Sequence, residues 1–188
     1  MIDESAFGLL IAYLTLEDDE YAGERADFVA RYAAFLELCR TRLREAPAGS
    51  ATRALELGHA FYVELIEGEQ APDVITWLKR TRAALTEQGF GVAGILTYGS
   101  TWLPETEERP ISEVVGPAVL VRASGPSEPL RRALLAESAA RGNEDAEQPG
   151  WGPGLYLDVE AVEALGKKPK NAPTVLRAGG AEFYRSGQ

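Results

Sequence analysis

The sequence has one cysteine, one histidine and few positive charges. A single cysteine, Cys39, excludes an intramolecular disulfide and fits a reducing compartment. It follows Phe35 by four residues and Leu36 by three, inside a predicted helix, so it reads as a small buried hydrophobe rather than a reactive thiol. It has no second cysteine with which to bind zinc. With His59 the only histidine, no multi-histidine metal centre exists, and a Ser-His-Asp set would have to use that residue. No apolar run approaches the roughly 18 residues of a membrane span. The beginning, Met1-Ile-Asp-Glu-Ser5, lacks a basic n-region, and the expected location is the cytoplasm.

Positive charge is outweighed, with 19 Lys and Arg against 29 Asp and Glu, for a net charge of −10. Nucleic acid and anionic membrane surfaces both demand positive potential, so neither is an expected partner. The acidity serves solubility or a basic protein partner. The one basic run, Lys167-Lys-Pro-Lys170, is too short to reverse it. The length of 188 residues suits one domain and can bury a core without metals or disulfides.

What the chain does have is a strong alternation of strand and helix patterns. Phe90-Gly-Val-Ala-Gly-Ile-Leu-Thr-Tyr-Gly99 reads as a buried central strand, with Gly91 and Gly94 allowing close approach of a helix, strand or ligand. Phe7 to Leu16 reads as another buried strand. Glu17 to Glu20 then forms an acidic, solvated turn before an amphipathic helix over 21–45. Ala54–Leu57 and Phe61–Ile66 flank Gly58-His59 as a hairpin. A helix over about 73–88 stops at Gly89.

Further on, Val114 to Arg122 reads as a strand, and 128–141 as a helix with Pro129 in its first turn. A short strand follows at Leu155–Leu157, with Asp158 capping a helix through Leu165, and then a tail with strand-like Val175-Leu176 and Phe183-Tyr184. The expected fold is α+β. It has a ferredoxin-like βαββαβ core with a mainly antiparallel sheet, helices packed on it, and a C-terminal β-α-β-α extension. Residues 1–188 form one domain, with the core at about 7–123 and the extension at about 124–188.

From Leu57-Gly-His-Ala-Phe61 the sequence resembles the class III nucleotidyl cyclases, whose catalytic domain has this element order and a Gly-Asp-Ala-Phe-like hairpin motif. Ile95-Leu-Thr-Tyr-Gly99 and Gly116-Pro-Ala-Val119 are similar to two later segments of that family, and the resemblance spans roughly residues 7–165. It implies two aspartates holding two divalent ions, one at the end of the first strand and one after the hairpin glycine. Here Tyr13, Leu14 and Thr15 occupy the first place and His59 the second, a poor match to an ion that prefers oxygen. A register shift would be needed for Glu17 or Asp18 to serve. The implied base-reading lysine falls near Leu55, the ribose-orienting asparagine at Leu120 and the transition-state arginine near Ser124, two residues from Arg122. The resemblance also implies a homodimer.

Gly89-x-Gly91-x-x-Gly94 spells a dinucleotide fingerprint but lies within a strand, where no phosphate cradle forms. Two aromatic sites suggest partner binding: Trp102, beside Glu105, Glu107 and Glu108, and Trp151 within Pro149-Gly-Trp-Gly-Pro-Gly154. The expected function is therefore a non-catalytic, cytoplasmic protein-binding domain of degenerate cyclase-like fold, without cofactor or metal. One alternative is an immunity protein neutralising a basic bacterial toxin. For this, Gly8-Leu-Leu-Ile-Ala-Tyr13 is similar to the first strand of some type VI secretion immunity proteins. Another is an enzyme that binds or cyclises nucleotides through Glu17, Asp18, Asp19 and Arg122.

Overall fold

The apolar run from Phe7 to Tyr13 forms most of β1 (Ile2–Tyr13), an interior strand of a seven-stranded sheet. The computed structural model describes residues 2–14, 25–44, 51–57, 59–66, 71–103, 127–142, 150–166 and 175–186. After β1 come α1 (Arg25–Arg44), β2 (Ala51–Glu56), β3 (Ala60–Ile66), α2 (Ala71–Glu87) and β4 (Val92–Leu103). The remainder holds α3 (Glu128–Arg141), β5 (Gly154–Asp158), α4 (Val159–Ala164), β6 (Val175–Ala178) and β7 (Ala181–Arg185).

The strand order is β2-β3-β1-β4-β5-β7-β6. β1 lies antiparallel to both β3 and β4, with Leu9 opposite Val63 on one side and Leu96 on the other. β4 and β5 run parallel, so the sheet is mixed; its other neighbouring pairs are antiparallel. The expected β-α-β-α extension is revised accordingly. Its described part reads α3, β5, α4, β6 and β7, and the tail around Gly179-Gly180 is a hairpin that completes the sheet. The expected strand Val114–Arg122 lies outside the described residues.

Helices cover both faces. Phe7, Leu9, Ile11 and Tyr13 meet Phe35 and Cys39 of α1, Leu78 and Leu85 of α2, and Ala161 and Val162 of α4. On the other face Leu10 and Ala12 share a core with Leu130, Ala133, Ala136 and Ala140 of α3. That two-sided burial explains why β1 reads as a continuous apolar run rather than an alternating one. The small residues along α3 suit close packing on the sheet. Cys39 is buried, in keeping with its reading as a small hydrophobe.

α2 ends at Gly89, whose φ of +81° suits glycine and whose N–H donates to Thr86 O at 2.9 Å. At Gly94 an added Cβ would lie 3.2 Å from Leu155 Cδ1 and 3.5 Å from Leu78 Cδ1. The approach that this glycine permits is thus by β5 and α2. At the end of β1, Tyr13 stacks on Phe35 at 5.4 Å and meets the Phe90 ring edge-on at 5.3 Å. Trp77 Nε1 donates to Arg42 O at 2.7 Å and ties α2 to α1.

Candidate functional site at the end of the first strand

Two backbone hydrogen bonds gather three separate segments at the end of β1. Tyr13 N donates to His59 O at 2.8 Å, and Leu14 N donates to Gly91 O at 2.8 Å. Leu57 N donates to Ala60 O at 2.8 Å and closes the β2–β3 hairpin. The hairpin tip with His59 is therefore held against Tyr13 and Leu14, and the two places implied for metal-binding aspartates become neighbours.

The last turns of α3 add the charges. Arg141 Nη2 donates to Tyr13 O at 2.8 Å, and Nη1 reaches Leu14 O at 3.5 Å. Glu137 sits one turn earlier. Its Oε1 accepts from Arg141 Nε at 3.0 Å and lies 2.9 Å from Nη2 and 3.1 Å from His59 Nε2. The Glu137 side chain is 10% exposed and that of His59 38%. Burial pushes the Glu137 carboxyl upward, but the hydrogen bonds and charges of His59 and Arg141 outweigh it and hold the pKa below its usual value.

The donor set can be tested against a divalent ion. The Tyr13 and Leu14 carbonyls already accept from a guanidinium, and Glu137 Oε1 is already shared between Arg141 and His59. Among the described residues no group of three or more His, Cys, Asp or Glu is arranged to hold a metal. These residues do not fit a pair of Mg²⁺ ions, which require several oxygens in octahedral arrangement. The arrangement does what a fixed cation does: it neutralises carbonyl and carboxylate charge at the end of a buried strand.

A second charged cluster lies at the beginning of α3. Arg132 Nη1 is 2.7 Å from Glu160 Oε1 and 3.4 Å from Asp158 Oδ2, while its Nη2 donates to Tyr98 O. Asp158 caps α4 by accepting from Ala161 N at 2.7 Å and also accepts from Tyr98 N at 3.2 Å. Burial pushes its carboxyl up to about 7, although Arg132 and these two N–H groups favour the charged form.

Of the residues expected to bind a partner, Trp102 belongs to β4, opposite Asp3. Glu105, Glu107 and Glu108 lie outside the described residues, as do Glu17, Asp18, Asp19, Gly116–Val119, Leu120, Arg122 and Ser124. Trp151 is half-buried, with its ring 5.2 Å from Tyr156 and 5.5 Å from Phe183, so it joins the core on the α3 face. Arg141, Glu137 and Arg132 were not singled out from sequence. The available signal was the Glu137–Arg141 spacing, which places the pair on one helix face.

No protein-family model matches the chain, and no curated protein sequence does. Solved structures do. The guanylate cyclase domain of RhGC from Catenaria anguillulae, in complex with GTP, is 10% identical with a TM-score of 0.60, over 100% of both chains. The adenylyl cyclase CyaB from P. aeruginosa is 11% identical with a TM-score of 0.55, covering 100% of this chain and 95% of that one. The guanylyl cyclase Cya2 is 11% identical with a TM-score of 0.52, covering 98% and 92%. The likeness thus extends past residue 165 into the β6–β7 hairpin. Seven strands in one mixed sheet with helices on both faces give this chain the fold of the class III nucleotidyl cyclase domains.

Proposed function

We propose that the chain is a cyclase-like domain that has given up nucleotide cyclisation and works by binding a protein partner. The observation that carries this reading is the Arg141 guanidinium on the carbonyls of Tyr13 and Leu14, with Glu137 shared between Arg141 and His59. A cyclase would place divalent ions there to orient a triphosphate and neutralise its charge. Here a side chain belonging to the fold supplies the positive charge, and it cannot exchange with solvent or carry a nucleotide in.

A protein partner fits the net charge of −10 and the acidic residues Glu105, Glu107 and Glu108 that follow Trp102 in the sequence. Pairing of two copies, as the cyclase-like fold suggests, is part of the same proposal. So is a cytoplasmic location; no helix among the described residues is long and apolar enough to cross a membrane. The immunity-protein reading rests on charge, size and the similarity of Gly8–Tyr13 to the first strand of some type VI secretion immunity proteins. The deciding experiment is a turnover assay of the purified chain with GTP and with ATP, each with Mg²⁺ and with Mn²⁺. The expected result is no cyclic nucleotide above a protein-free blank. Product formation that survives repurification and is lost in a Glu137→Ala variant would overturn the proposal.

A further inference from the structure

Arg132 serves two carboxylates on unequal terms. Its Nη1 lies 2.7 Å from Glu160 Oε1 but 3.4 Å from Asp158 Oδ2. A charge-assisted bond runs to roughly 2.7–2.9 Å, so the guanidinium is bonded to Glu160 and stops short of Asp158. Burial alone would give the reverse order. Asp158 is fully buried and the Glu160 side chain is 49% exposed, and opposite charges attract more strongly away from water. Arg132 Nε is also buried and has no hydrogen-bond partner, although the same residue lies beside a buried carboxylate.

Both observations follow if Asp158 carries a proton in this arrangement. Burial opposes its charge and pushes its carboxyl up to about 7. The charged groups that bear on it are Arg132 of α3, which favours the ionised form, and Glu160 of α4, which opposes it. Glu128 and Arg131 of α3 and Glu163 of α4 line a cavity of about 630 Å³ together with Arg132 and Glu160. β4 contributes the N–H and carbonyl of Tyr98. β7 places Phe183 opposite Asp158, between Tyr184 and Glu182, and Glu182 pairs with Arg177. The N–H groups of Ala161 and Tyr98 fix the position of the Asp158 carboxyl. Arg132 is therefore the group left to move.

We propose that Arg132, Asp158 and Glu160 form a pH-sensitive latch at the start of α4. With Asp158 protonated, Glu160 holds the guanidinium. When Asp158 loses its proton, Arg132 turns about its Nη2 bond to the Tyr98 carbonyl, closes on Asp158 through Nη1 and Nε, and releases Glu160. The released carboxylate joins Glu128 and Glu163 at the cavity, so the acid and alkaline forms present different charge there. The latch is independent of nucleotide chemistry at the other end of α3.

Two readouts on the full chain test it. The first is the stability cost of Glu160→Gln, from urea denaturation at pH 5.5 and pH 8.5. The substitution should lower the folding equilibrium constant about two- to fivefold at pH 5.5 and less than about 1.5-fold at pH 8.5. In an Asp158→Asn background the cost should be the same at both. The second readout is the side-chain ¹⁵N–¹H NMR signal of Arg132 Nε, assigned by its absence in Arg132→Lys. It should move downfield from pH 5.5 to pH 8.5 as the N–H gains a carboxylate acceptor, and stay in place in Asp158→Asn. Asp158→Ser, which also caps a helix, replaces Asp158→Asn if the latter does not fold. An equal cost of Glu160→Gln at the two pH values, or an Nε signal that does not move, overturns the latch. So does either pH dependence if it survives the loss of the Asp158 carboxyl.

Discussion

Arg141 and Tyr13 are 128 positions apart in the chain, yet Arg141 Nη2 donates to the Tyr13 carbonyl at 2.8 Å. This contact joins the end of α3 to the end of β1. Arg141→Ala removes it, along with the Leu14 contact and the charge opposite Glu137. The expected loss is about 1–3 kcal/mol, because a partly buried carboxylate and two carbonyls lose a charged donor. Arg141→Lys recovers only part of this, since an ammonium lacks the fork that meets both carbonyls. Urea denaturation of the three proteins measures the difference.

Glu137 sets the behaviour in acid. Its pKa is lower in the folded chain than in the unfolded one, so its contribution is fully present above the ordinary carboxylate range and is lost as pH falls through the folded value. Stability measured from pH 6 down to pH 3 should fall less steeply in Glu137→Gln than in the unsubstituted chain. Parallel curves would contradict the assignment.

Asp158 works in the opposite direction. With its folded pKa raised to about 7, the folded chain holds a proton that the unfolded chain has released, and stability declines as pH rises from about 4 through 7. Asp158→Asn keeps a side-chain oxygen for the α4 cap and removes the titration. The stability of this variant relative to the unsubstituted chain should improve between pH 5 and pH 7 and level off above that. A constant difference across that range would contradict the account.

Glu64 anchors the α3 face through three hydroxyl groups. Its Oε2 accepts from Tyr62 Oη at 2.7 Å and Ser127 Oγ at 2.6 Å, and its Oε1 from Thr101 Oγ1 at 2.7 Å. Ser127 also caps α3 by accepting from Leu130 N at 3.2 Å. Glu64→Ala leaves three buried hydroxyls without their acceptor and should cost about 3 kcal/mol or more. Thermal denaturation should show a clear drop in Tm, and a change within experimental scatter would contradict this.

How much of this was legible follows from the range of each interaction. The hairpin around His59, the stop at Gly89 and the Asp158 cap are set within a few residues, and they read correctly from local chemistry. The burial of β1 was legible because a strand covered on both faces has no polar alternation. The parallel pairing of β4 with β5 was not, because it depends on how a long connection crosses the sheet. Nor was the charge cluster: Glu137 and Arg141 look like an ordinary helix-surface pair until α3 is laid across the end of β1. Whether Trp151 binds a partner or covers a core edge was not legible in its Gly-Pro-rich turn, because nothing local announces Tyr156 and Phe183 beneath it.

The central claim is that Arg141 occupies the place of the metal ions, and the direct measurement is a thermal shift of the purified chain against GTP and ATP, with and without Mg²⁺ or Mn²⁺. A ligand at a hundred times its Kd stabilises the native state by about 2.7 kcal/mol, enough to move Tm by several degrees. The account predicts no metal-dependent shift with either nucleotide. A reproducible rise in Tm that requires both nucleotide and divalent ion would contradict it.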